Sequence, residues 1–205
     1  MNAFVRRWAG LLLRGRHAGD AVLAWHDPRL QTLPATLALH SPGFAHGAAL
    51  PLRHAGEGVG DNRSPALQWT GLPAGAHHWV LLMEDPDVPL RHAIVHLLAW
   101  GDASIDRLAE GALDAGQAPA GVTLAPNGLG TPGYDGPRPL PGHGTHRYVF
   151  QLFATDALPA PGLDRHALPA FLQRHALARG RLDGLFARDW RARPVPPRPP
   201  ALRQA

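Results

Sequence analysis

The stretch Trp79-Val80-Leu81-Leu82-Met83-Glu84-Asp85-Pro86-Asp87-Val88-Pro89 decides the fold class. An unbroken apolar run stops abruptly at an acid, and two prolines follow. A short continuous run of this kind fits a strand covered on both faces. Pro86 and Pro89 lack an amide donor and fix φ, so the chain must leave the sheet here. Working outward, Ala93–Trp100 is a second such run, interrupted only by His96. Thr36–His40 alternates before Ser41-Pro42-Gly43, Thr145–Thr155 reads as a strand, and Leu177–Arg188 alternates weakly, as an edge strand does. Leu168–His175 predicts a short helix with Pro169 in its first turn. Gly101–Thr123 is irregular, with a helical turn around Ile105–Leu108, and Leu124–Gly144 is a long loop dense in Gly and Pro.

Composition agrees with this pattern. The chain has 23 glycines and 22 prolines among 205 residues, a load that disfavours a helical bundle and favours short strands joined by turns. Cysteine is absent, which excludes disulfides, thiolate metal sites, iron–sulfur clusters and cysteine nucleophiles, and fits a cytoplasmic location. Every basic residue of the Lys and Arg class is arginine, so Schiff-base and P-loop chemistry are excluded as well. The net charge of +4 is unevenly placed: residues 1–16 and 174–205 are basic, and the body between them is acidic. A nucleic-acid-binding domain would cluster its arginines on a folded face with aromatics between them, so no nucleic-acid partner is expected.

The ends carry their own signals. Arg6-Arg7-Trp8-Ala9-Gly10-Leu11-Leu12-Leu13-Arg14 has a twin arginine, but its apolar run is too short for an export signal. It predicts a short amphipathic helix that packs Trp8 and the leucines on the body or on a second copy, making a homodimer. No apolar run approaches the roughly 20 residues of a membrane span. The expected organisation is an N-terminal extension over 1–33, one domain over 34–190, and a disordered Pro/Arg-rich tail over 191–205.

Four features could carry chemistry. Asp85 and Asp87 flank Pro86 directly after a buried strand, where they either cap an Asx-type turn or line a site. His96 lies inside an apolar strand, as a satisfied core histidine or a functional one. On a Thr145–Thr155 strand, His146 and Tyr148 share a face and Arg147 takes the other. The pair is either a structural contact or two donors for an oxyanion. The Gly128–Pro139 loop could bring backbone N–H groups close to an anion, or could simply be rigid.

Taken together and in order, these features resemble the phosphatidylethanolamine-binding protein family, specifically its bacterial Raf-kinase-inhibitor-like branch. The stretches that carry the resemblance are Asp61-Asn62-Arg63-Ser64-Pro65-Ala66-Leu67-Gln68-Trp69, Glu84-Asp85-Pro86-Asp87-Val88-Pro89, Val95-His96, Gly136-Pro137-Arg138-Pro139 and His146-Arg147-Tyr148-Val149-Phe150. His175-Ala176-Leu177-Ala178 and Leu182-Asp183-Gly184 also fit, within residues 34–188. The resemblance implies a mostly β, two-sheet β-sandwich with short peripheral helices and a small anion-binding cavity. It implies that Asp85, Asp87, His96, Gly136, Pro137, His146 and Tyr148 form that cavity, around a phosphate-, phosphoethanolamine- or acetate-like group. Ile94 stands where eukaryotic members carry an aromatic, and the tyrosine that their C-terminal helix adds to the rim is missing.

The functional expectation is non-enzymatic binding of a small phosphorylated or carboxylated ligand, without a cofactor, with a possible regulatory protein partner. Neither Ser41 nor Ser64 sits in a nucleophile motif. The alternative is a metal-assisted phosphoesterase using Asp85, Asp87, His96 and His146. A third reading is an interaction module acting through the basic ends.

Overall fold

The computed structural model describes residues 3–198. Its elements are α1 (Ala3–Leu12), β1 (Ala38–His40), β2 (Ala48–Ala49), β3 (Leu67–Thr70), β4 (His78–Asp85), β5 (Ile94–Asp102), β6 (Arg107–Leu108), β7 (Val122–Leu124), β8 (Thr145–Thr155), α2 (Leu168–His175), β9 (Ala176–Arg188) and β10 (Pro194–Val195). The large sheet runs β10-β9-β8-β4-β5-β7, and β2 adds to β9 in parallel. The small sheet runs β1-β3-β6. The protein is mostly β, with two sheets and few helices. No helix among the described residues is long and apolar enough to cross a membrane.

The apolar runs are continuous because the large sheet is covered on both faces. Trp79, Leu81 and Met83 of β4 point with Leu97, Tyr148 and Phe150 toward the small sheet, where Leu39, Leu67, Trp69 and Leu108 meet them. Val80 and Leu82 point the other way with Leu98, Trp100 and Phe153, against Ala24, Leu30, Phe171 and Leu172. The segment after α1 is therefore part of the core: Leu23, Ala24 and Leu30 are buried, and short 3-10 turns carry them across the sheet.

Several local expectations change. Arg107–Leu108 is not a helical turn; it pairs with Leu67 and Gln68 and closes the small sheet. β9 is not an edge strand, because β10 and β2 both pair on its outer side. The C-terminal segment is ordered further than its composition predicts: Pro194 and Val195 pair with Arg188 and Ala187, and the Arg198 N–H donates to Thr145 Oγ1 at 3.0 Å. The remainder of the predicted tail, 199–205, lies outside the described residues. The N-terminal helix forms as expected, but Trp8 and Leu12 do not pack on the body.

Glu84 ties three elements together in the face opposite the small sheet. Its carboxylate is buried and accepts from Ala24 N at 2.9 Å, Gln151 Nε2 at 2.8 Å and Arg165 Nε at 2.7 Å. Removing the cation leaves a buried carboxylate with only neutral donors. Arg165→Met is expected to destabilise the protein by about 2–4 kcal/mol, less than the cost of breaking a fully enclosed pair because Arg165 is partly exposed. Thermal denaturation measures this, and Glu84→Gln in the same chain should recover part of the loss.

Candidate functional site

Alternation along β4 and β8 builds one buried cluster. Asp85, next but one after Met83, keeps the side of the small sheet, as do His146 and Tyr148 on β8. His146 Nδ1 is 2.7 Å from Asp85 Oδ2, and the other Asp85 oxygen accepts the Asp87 N–H at 2.8 Å. Tyr148 is fully enclosed; burial first, then the charge and hydrogen bond of Asp85, push its hydroxyl well above the ordinary phenol value. It stays protonated, with its one proton engaged by the Asp85 carboxylate.

His96 reaches the same cluster through a β-bulge. β4 and β5 pair from His78↔Asp102 to Met83↔Leu97, and then continue at Glu84↔Val95, so His96 has no opposite residue. The extra residue breaks the alternation: Val95 faces the α2 side, while Leu97 faces the small sheet. His96 joins Leu97 on that side, with its ring edge-on to Tyr148 at 5.1 Å between centroids. The Asp135 carbonyl accepts from Nδ1, which fixes the tautomer. Nε2 is buried and has no hydrogen-bond partner. Burial, outweighing the nearby Asp85 charge, holds His96 below the ordinary imidazole value of 6.5. In the neutral ring Nε2 is a bare acceptor, and on protonation it becomes a donor.

A third histidine closes the cluster. His143 Nδ1 lies 2.8 Å from His146 Nε2, and its own Nε2 is 2.9 Å from the Leu13 carbonyl. A carbonyl only accepts, so His143 donates from Nε2, and its Nδ1 accepts from His146 Nε2–H. That leaves His146 Nδ1 facing Asp85, a contact that holds one proton between ring and carboxylate. The bonded chain from Leu13 to Asp85 thus runs through two imidazoles. His17 stacks edge-on to His143 at 5.4 Å, and the backbone of Ala18 and Gly19 donates to Val88 and Pro86. The segment following α1 is therefore laid over the cluster, and Asp85, His146 and Tyr148 are all out of contact with solvent.

The remaining predicted site residues lie beside the cluster. Both Asp87 oxygens are taken by Arg147, through Nε at 2.8 Å and Nη2 at 2.8 Å, and the Arg147 N–H adds a third bond. Burial alone would raise Asp87, but Arg147 holds it below the ordinary carboxylate value. Arg147 faces away from His146, as alternation predicts, and also pairs with Asp20. Gly136 and Pro137 face the 54–62 loop: Gly136 N–H donates to Asn62 Oδ1 at 2.8 Å, and the Pro137 carbonyl accepts from Gly56 N. A Cβ on Gly136 would lie 2.2 Å from the His54 carbonyl, so this glycine serves close packing of the loop that holds His96. Among the described residues no three His, Asp or Glu side chains are arranged to hold a metal ion. The sequence reading missed His143 and Asp135. The spacing of His143 and His146 in His143-Gly144-Thr145-His146 was the available signal for the first; the second acts through its backbone, which no side-chain motif reveals.

Comparison with known proteins places this geometry in context. The family described as Phosphatidylethanolamine-binding protein matches residues 40–187. UPF0098 protein PH1269 of Pyrococcus horikoshii is 32% identical over 149 residues, covering 71% of this chain and 74% of that protein. A Mycobacterium tuberculosis protein named as a lipoprotein, LppC, is 35% identical over 170 residues, 78% of this chain and 80% of its own. Among solved structures, Escherichia coli YbcL, described as a member of the mammalian PEBP family, superposes with a TM-score of 0.69 at 23% identity, over 75% of this chain and 99% of its own.

The buried histidines fix how stability depends on pH. Burial holds His54, His96 and His143 below 6.5, the value each regains on unfolding. Below that pH the unfolded chain takes up protons that the folded chain refuses, so stability falls as pH falls from 6.5 toward the depressed values. Asp87 adds a loss of the same sign at lower pH, as its folded carboxylate is protonated. The melting temperature is expected to drop steadily from neutral pH to about pH 5, with a shallower slope in His143→Gln. A melting temperature that is flat or rises over this range would refute the assignment.

Proposed function

Because this chain belongs to the phosphatidylethanolamine-binding protein family, we propose that it is a non-catalytic binder of a small anion, phosphate-like or carboxylate, at the cluster of Asp85, His96, His146 and Tyr148. The observation that carries the reading is His96 Nε2, a buried ring nitrogen without a partner, beside the Tyr148 ring and within the field of Asp85 and His146. A buried polar atom left unpaired is costly unless something outside the chain completes it. An anion completes it by drawing a proton onto Nε2, and the His146 Nε2–H adds a donor once His143 leaves it; the Tyr148 hydroxyl adds another only by turning away from Asp85. Asp85 holds the His146 ring in place. Gly136 and Pro137 support His96 from behind, and Asp87 with Arg147 braces the turn.

Hydrolysis has less support. Ser64 Oγ is enclosed and accepts from Leu113 N, and Ser41 Oγ accepts from Gly43 N, so neither is paired with a base. The metal-assisted alternative needs Asp87, whose oxygens Arg147 already occupies.

Access is the second element of the reading. His143 occupies the His146 donor that a ligand would use, so binding requires His143 and the Leu13 segment to give way. Removing the plug should therefore favour binding.

Titration calorimetry with inorganic phosphate, phosphoethanolamine and acetate tests this. Wild-type affinity should be weak, roughly millimolar to micromolar, because few atoms make contact. His143→Ala should bind more tightly than wild type, whereas His96→Ala and His146→Ala should bind at least about tenfold more weakly. Acetate keeps its charge between about pH 8 and pH 6, so proton uptake by His96 should strengthen its binding as pH falls, by up to about tenfold per unit. Unchanged affinity in both His96→Ala and His146→Ala would overturn the site.

A further inference from the structure

Helix α1 is amphipathic, but it is turned inside out. At 100° per residue, Phe4, Trp8 and Leu12 fall within one arc of about 80°, and Gly10 lies on the opposite side. In an ordinary surface helix the bulky arc faces the core. Here the core side is Gly10, which is buried so tightly that a Cβ on it would lie 2.0 Å from the Pro141 carbonyl oxygen. The bulky arc faces outward: Phe4 is 67% exposed, Trp8 49% and Leu12 78%, and the Phe4 and Trp8 rings touch edge-on. Trp190, also largely exposed, extends this surface through Arg7, whose guanidinium lies 5.7 Å from the indole centre.

The charge around the arc is mostly positive, and Asp189, beside Trp190, is paired with Arg193. Arg6, Arg14 and Arg16 are exposed, Arg191 is exposed beside Arg7, and residues 1–16 contain no acid. We propose that α1 docks this chain onto an anionic phospholipid bilayer, lying in the plane of the interface with Phe4, Trp8 and Leu12 among the acyl chains and the arginines at the phosphates. A helix of 10 residues is about 15 Å long, too short to span a bilayer but sufficient to lie in its surface. The alternative occupant is a second copy of the chain. An isologous contact over this face would bring two sets of arginines together, with none of residues 1–16 acidic and Asp189 already bound to Arg193, whereas lipid phosphate is complementary. The docking stands apart from the anion-site reading, because it uses none of the cluster residues as lipid contacts.

Vesicle co-sedimentation of the full chain tests it. Vesicles containing phosphatidylglycerol should pellet the protein at low salt, vesicles of phosphatidylcholine alone should do so much more weakly, and added salt should release it. Phe4→Ser with Trp8→Ser should weaken binding by about tenfold or more while leaving the melting temperature unchanged, because both side chains are exposed. Arg6→Gln with Arg14→Gln and Arg16→Gln should remove the preference for the anionic lipid. Three results would each overturn the proposal. One is no pelleting with the anionic vesicles at low salt. Another is pelleting that the Phe4/Trp8 variant leaves unchanged. The third is a concentration-dependent dimer in gel filtration that this variant abolishes, which would assign the face to a second copy.

Discussion

Three carboxylates lie within four residues at the end of β4, and all three are buried. Glu84, Asp85 and Asp87 could not remain there without compensation, because a buried carboxylate is costly unless donors or cations meet it. Strand alternation and the turn at Pro86 send them in separate directions, so each recruits its own partners. Glu84 takes Arg165, Gln151 and the Ala24 amide. Asp85 takes His146, and Asp87 takes Arg147. Since His146 and Arg147 are adjacent on β8, the same two strands that share a core also share this charge balance. Much of the arrangement of the N-terminal segment follows from it: Ala24 is fixed by Glu84, and Asp20 by the Arg147 that serves Asp87.

The strands at the centre of the large sheet were legible because their chemistry is local. A run with no alternation means cover on both faces, and β4 and β5 keep that promise; the strand at Thr145–Thr155 and the helix at Leu168–His175 also form where they were read. The order of Asp-Pro-Asp, strand histidine and His-Arg-Tyr was enough to identify the family. The short strands were harder. Arg107–Leu108 becomes a strand only because β3 offers an edge, and two residues carry no period of their own. β9 read as an edge strand because its partners β2 and β10 are also two-residue pieces, invisible to pattern.

The cluster was less legible than the strands, for a physical reason. Alternation predicts side-chain direction only while the register holds, and at His96 it slips by one residue. Reading β5 as a regular strand puts His96 on the face opposite Leu97 and away from Tyr148. The bulge reverses that and turns His96, the one polar side chain in the apolar run of β5, toward Tyr148. Arg147 illustrates the converse. Its face was predictable, but its tie to Asp87 and Asp20 depends on a turn and on a segment more than a hundred residues earlier in the chain.

The N-terminal segment joins two surfaces that no pattern in the chain connects. Its bulky arc faces outward, while its far end, through the Leu13 carbonyl, holds the histidine that occupies the His146 donor. Gly10 makes this possible: its lack of a side chain lets α1 rest on the Pro141 carbonyl, in the loop that carries His143. A larger residue would lift the helix off the loop and loosen the hold on His143. The position of α1 and the His143–His146 contact are therefore linked through Leu13. Whatever shifts Leu13 changes the hydrogen bonding of His143, and whatever displaces His143 from His146 loosens its hold on Leu13. Under the two proposed bindings, thermodynamic linkage makes the effects equal: an occupant of the outer face that moves Leu13 would alter the affinity of an anion at the cluster by the same factor by which the anion alters that occupant's affinity.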